Sequence, residues 1–99
     1  MNTFLVALTL VAGSHAQAAL TPTAESLRRI QAITTSKDVY EALGNLQWIS
    51  SIAQDEEEHY TVVSNQCSLT VQVRPVLTNP PQMVPPLKVT VLGPATCLP

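Results

Sequence analysis

Ninety-nine residues with a formal net charge of −2 and only 12% charged side chains leave room for one small domain. The five cations, Arg28, Arg29, Lys37, Arg74 and Lys88, are scattered, so no basic stripe can track phosphates and nucleic acid is not an expected partner. Three glycines and two histidines provide no phosphate-cradling loop and little material for acid–base or metal chemistry; no cofactor and no metal site are expected.

The chain opens on an apolar run, Phe4-Leu5-Val6-Ala7-Leu8-Thr9-Leu10-Val11-Ala12, too short for a stable membrane anchor. Ala16-Gln17-Ala18 then supplies the small-x-small pattern of a signal-peptidase site. Residues 1–18 are therefore expected to be a signal peptide, although Met1-Asn2-Thr3 carries no basic side chain. Residues 19–99 would form a single domain, periplasmic or secreted, with no stable membrane insertion after cleavage. A domain this small buries a modest core, so a covalent staple is expected. Cys67 and Cys97 are the whole cysteine complement and, in an oxidising compartment, allow one intramolecular disulfide. Their spacing suits neither a redox Cys-x-x-Cys pair nor a zinc site.

Thr21-Pro22 opens the first predicted helix, with threonine as N-cap and proline at the first helical position. Leu27, Ile30 and Ile33 mark its apolar stripe, and Glu25, Arg28, Arg29 and Gln31 occupy the other faces. A second helix begins at Thr35 or Ser36, where Thr35-Ser36-Lys37-Asp38 has the form of a capping box. Val39 and Leu43 give its buried face, and Gly44-Asn45 tolerates the left-handed conformation that ends helices. The spacing Leu46, Ile49, Ile52 suggests a third, short helical segment carrying Trp48. That tryptophan is expected to pack between helix and sheet, with Tyr40 beside it.

Asp55-Glu56-Glu57-Glu58 cannot be buried and reads as a solvated turn. His59 beside it is the one cluster of ligand-type side chains, but adjacent turn residues cannot all face one ion. Three strands follow: Tyr60-Thr61-Val62-Val63, the alternating run from Cys67 to Arg74, and Leu87-Lys88-Val89-Thr90-Val91. Cys67 shares the parity of Leu69, Val71 and Val73, so its sulfur should face the core. The predicted class is α+β: two or three short N-terminal helices on a three-stranded antiparallel sheet, with one disulfide.

The segment from Leu27-Arg28-Arg29-Ile30 to Thr34-Thr35-Ser36-Lys37-Asp38-Val39-Tyr40-Glu41-Ala42-Leu43-Gly44 resembles the start of the small outer-membrane assembly lipoproteins of the SmpA/OmlA type. The β-lactamase inhibitor proteins share that helix–helix–sheet plan. The likeness spans about twenty residues of mostly generic helix punctuation. The chain departs from it by lacking a lipobox cysteine and a glycine before the threonine turn, and by inserting residues 46–52 and a disulfide. The resemblance implies an adaptor or inhibitor that binds other proteins, not a catalyst.

Catalytic signals are weak on their own terms. Ser64 and Ser68 lie near His59 in sequence, but no nucleophile elbow accompanies them. A small hydrolase is thus only a remote alternative, and the chain is not expected to be an enzyme. The strongest functional candidate is the connector between Arg74 and Leu87, with Pro75, Pro80, Pro81, Pro85 and Pro86. Proline cannot donate to a ladder, so this stretch should be a stiff, extended loop. Stiffness lowers the entropy lost on capture by a partner. Pro80, Pro81, Gln82, Met83, Val84 and Pro85 form the proposed binding loop, with Gln82-Met83-Val84 available for a pocket. The expected partner is another protein: an exported hydrolase that the loop inhibits, or an envelope complex for which the chain is a structural accessory. The plainer alternative is a hairpin connector whose prolines protect a sheet edge.

Overall fold

A computed structural model describes residues 20–99; the predicted signal peptide lies outside the described residues. Two helices, α1 (Pro22–Thr34) and α2 (Lys37–Leu43), precede five strands. These are β1 (Ile49–Glu56), β2 (His59–Ser64), β3 (Cys67–Pro75), β4 (Leu87–Val91) and the two-residue β5 (Thr96–Cys97). The sheet runs β1-β2-β3-β4, with β5 paired to β3, and all the pairings are antiparallel. The α+β class holds, but the sheet has more than the three strands expected.

The helices begin where the side chains dictate. Thr21 caps α1, its Oγ1 accepting the Ala24 N–H at 3.1 Å, with Pro22 at the first helical position. Ser36 caps α2 by accepting the Val39 N–H at 3.3 Å, so the expected Thr35–Asp38 capping box does not form. The chain leaves α2 through Gly44 at φ 87°, a conformation that side chains bearing a Cβ resist.

The core lies between the helices and one sheet face. Ile33 and Val39 meet Tyr60, Val62, Leu69, Val71 and Val73, all buried. Alternation along β3 puts Cys67, Leu69, Val71 and Val73 on that face, as the sequence pattern required. The helices cover β3 and β4 and leave β1 largely uncovered; only Ile52 of β1 is half-buried.

The predicted third helix is instead the start of β1. Ile49 stands opposite Ser64 and Ile52 opposite Val62, with a register shift between Ile49 and Ser51. Ser50 is thus the extra residue of a β-bulge. Ser64 and Val62 both face the core, so the bulge brings Ile49 and Ile52 to one face despite their three-residue separation. A bulged strand imitates the apolar spacing of a helix at this point. Further along, the predicted acidic turn narrows to Glu57-Glu58, because Asp55 and Glu56 belong to β1. Asp55 sits at a second register shift and accepts a hydrogen bond from the Thr61 hydroxyl.

Cys67 and Cys97 are bridged, 30 residues apart in sequence, and face each other directly in the β3–β5 ladder. The bridge pins the C-terminal segment to the start of the central strand. Among the described residues, no helix is long and apolar enough to cross a membrane.

Candidate binding loop and its anchors

The loop 76–86 leaves the sheet where Pro75 and Leu87 close the β3–β4 ladder. Val76 donates its N–H to the Pro86 carbonyl at 2.8 Å, which draws the two stems together. The expected stiff, extended loop is not extended along its whole length. The chain bends at Asn79–Pro80 and again at Met83–Val84, and Thr78 Oγ1 donates to the Pro80 carbonyl at 2.8 Å. Ring constraints at proline fix φ without fixing ψ, so a proline-rich segment can still fold back.

The proposed loop residues divide into two groups. Pro80, Pro81 and Gln82 lie on the exposed outer part of the loop. Met83, Val84 and Pro85 border a hollow of about 280 Å³, whose other wall is Leu20, Glu25, Arg28 and Arg29. Met83 is 78% exposed, and Leu77, which pattern analysis passed over, is 92% exposed. The signal for Leu77 was present: it is an aliphatic residue in a segment that prolines exclude from the sheet.

The anchors of the loop come from α1 and reverse part of the sequence expectation. Leu27, expected on the buried stripe, is 61% exposed. The sheet-facing side of α1 runs instead through Glu25, Arg29 and Ile33. Arg28 Nη1 donates to the Pro85 carbonyl at 2.8 Å, and Arg29 Nη1 donates to the Val73 carbonyl at 3.1 Å. Long arginine stems can cover apolar surface while their heads reach backbone oxygens, so a helix face bearing two arginines can still point inward. Glu25 holds both, at 2.6 Å to Arg29 Nε and 3.2 Å to Arg28 Nε.

Partial burial pulls the Glu25 carboxyl upward, but the hydrogen bonds and charges of Arg29 and Arg28 outweigh it and hold the group below the usual glutamate range. A depressed folded-state value means that the contribution is complete above the ordinary glutamate value and is lost as pH falls through the folded one. Stability should therefore decline on acidification from neutral pH to about pH 3, and Glu25→Gln should flatten that decline. At neutral pH the same substitution should cost about 1–2 kcal/mol, discounted for the partial exposure of the cluster. Thermal melts of both proteins across that range measure it; parallel pH profiles would show that Glu25 is not the linked group.

Elsewhere, His59 is half-buried at the start of β2, opposite Glu56 on one side and Gln72 on the other. Glu58 is taken up by Arg74, at 2.8 Å from its Nε. Ser64 is buried and satisfied, donating to Gln47 Oε1 at 2.8 Å and accepting the Cys67 N–H at 3.0 Å. Ser68, the other serine considered as a nucleophile, lies opposite Val63 and Thr96 in the ladder. A smaller hollow of about 130 Å³ lies between α2 and the start of β1, lined by Val39, Tyr40, Leu43, Gln47 and Ile49. Trp48 does not pack between helix and sheet as expected; it is 82% exposed, and Tyr40 is 60% exposed. Its neighbours Gln47 and Ile49 line the hollow beside α2, and Trp48 lies outside that lining. No family model, curated protein or solved structure matches this chain.

Proposed function

We propose that this chain is a small exported protein-binding module that engages its partner through the loop 76–86. The observation that carries the reading is a pair of exposed apolar side chains, Leu77 and Met83, on a loop tied at its base. Bonds from Val76 to Pro86 and from Arg28 to Pro85 hold that base. A loop ordered before contact loses less entropy on binding, and its apolar tips are the groups a complementary pocket would desolvate. The Cys67–Cys97 bridge is consistent with an oxidising compartment, which supports export.

In the sharper form of this reading the partner is an exported hydrolase, and Gln82-Met83-Val84 enters its cleft. The second reading, docking on an envelope complex through the helices, draws on the exposed Leu27 and Tyr40. Site-specific photocrosslinkers at Met83, at Leu27 and, as a control on the open sheet face, at Thr70 separate the two. An adduct formed from Met83 alone supports loop engagement, and the captured partner should be a hydrolase inhibited by the wild-type chain. Met83→Asp should then abolish inhibition, with a loss of about 2 kcal/mol or more for a pocket-filling side chain. Adducts from Leu27 alone favour the accessory role, and unchanged inhibition by Met83→Asp refutes the hydrolase version.

A further inference from the structure

The hollow between α1 and the inner wall of the proline loop joins apolar walls to a charged cluster. Leu20, Met83, Val84 and Pro85 supply apolar surface, and Glu25, Arg28 and Arg29 supply the charges. Its volume of about 280 Å³ is close to the roughly 300 Å³ at which small-molecule sites begin. The Arg28 and Arg29 side chains are only 25% and 17% exposed, so salt and water screen them less than surface charges.

Two guanidinium groups share one carboxylate here. Glu25, whose carboxyl lies below the usual glutamate range, is ionised at neutral pH, so the cluster carries one positive charge in excess. Among the described residues, no second acidic side chain lines the hollow. Donors are in surplus too. Each guanidinium has five N–H groups. Arg28 spends three, on Glu25 and Pro85, and Arg29 spends two, on Glu25 and Val73. Arg29 Nη2 therefore has no acceptor among the described residues. Arginine does not deprotonate in proteins, so this surplus is met only by water or by an anion.

We propose that this hollow receives the C-terminal carboxylate of a partner protein whose last residue is apolar. The carboxylate would accept from the spare N–H groups of Arg29 and Arg28, and the side chain would lie against Leu20, Met83 and Val84. A terminal residue carries both groups on one carbon, which matches a lining where arginines and apolar chains share one small volume. An internal Asp or Glu spends its side chain on the charge and leaves the apolar wall to a neighbour. One surplus positive charge suits a monoanion; a phosphate monoester would bring a second negative charge into a partly apolar surround. A wholly apolar segment would cover the spare arginine donors without pairing them. The inference rests on the loop being the partner-binding element, and it names the chemistry of the group that reaches the loop's inner wall.

Three probes separate the sources of the carboxylate: acetyl-Ala-Ala-Ala-Leu as the free acid, the same peptide amidated, and amidated acetyl-Ala-Leu-Glu-Ala. Titrated into the isotope-labelled exported form, the free acid should bind with a Kd of the order of 0.1–1 mM. It should shift the amide resonances of residues 20, 25–29 and 83–84. The amidated peptide should bind about tenfold more weakly, the worth of a lost charge-assisted hydrogen bond. Raising salt to about 0.5 M should weaken the free acid and leave the amide unchanged. Arg29→Gln should bring the free acid down to the affinity of the amide. Because Arg29 also holds the Val73 carbonyl, Met83→Ser on the exposed loop is the second variant. It should weaken the free acid about fivefold without lowering the melting temperature. Equal affinity of acid and amide, or tighter binding of the internal glutamate peptide, overturns the proposal. Shifts confined to other residues overturn it too, as do self-association that protects this hollow and the lack of any saturable change up to about 10 mM free acid. A partner crosslinked from Met83 while the free acid fails to bind removes this inference and leaves the loop reading standing; absence of both removes the two together.

Discussion

Removing the disulfide, by Cys67→Ser with Cys97→Ser, should lower stability by about 3–4 kcal/mol. This follows from the loop-closure entropy of a bridge spanning 30 residues. For a domain of this size that is a large share of the total, and it corresponds to a fall of roughly 12–32 °C in melting temperature. The structural consequence should be local first. β5 contributes only two residues to the sheet, and apart from its ladder the C-terminal segment is tied by the Leu98–Gln66 bond. Hydrogen exchange should therefore show early loss of protection at residues 96–98, with β2 and β3 retaining theirs. A reduced protein that melts with the oxidised one would mean that the ladder alone holds this end.

Ile33→Ala should be the most damaging single truncation, costing about 2–5 kcal/mol. Ile33 is fully buried and is the one residue of α1 that is, so it carries the helix–sheet contact. Its loss should leave a cavity facing the apolar side chains of the core, including Val71 and Val73. Because Arg28 on the same helix holds the Pro85 carbonyl, loosening α1 should also release the proline loop. Chemical denaturation measures the first effect; faster proteolysis within residues 76–86 at unchanged temperature measures the second. A cost below about 1 kcal/mol would show that the helix layer contributes little to the fold.

Much of the architecture follows from local rules. The Thr21-Pro22 start, the Gly44 exit, the alternation of β3 and the single possible cysteine pairing each rest on chemistry within a few residues. The β3–β4 hairpin across the prolines and the bridge at its open end support each other, which is why both could be anticipated together. The candidate loop was legible for the same reason, since proline excludes a stretch from a ladder wherever it occurs.

Three features depended on contacts distant in sequence. Residues 46–52 carry an apolar spacing of three, which suits a helix and a bulged strand equally; pairing with β2 decides between them. The inward face of α1 is set by carbonyls of Val73 and Pro85, some 44 and 57 residues away, which attract arginines that periodicity assigns to solvent. Trp48 stands exposed beside the bulged start of β1, where pairing with β2 sets which side chains turn to the core, and no window around residue 48 contains that pairing. Backbone propensity and turn chemistry act over a few bonds and can be read from neighbours, whereas burial belongs to surfaces that meet only when the chain has closed on itself.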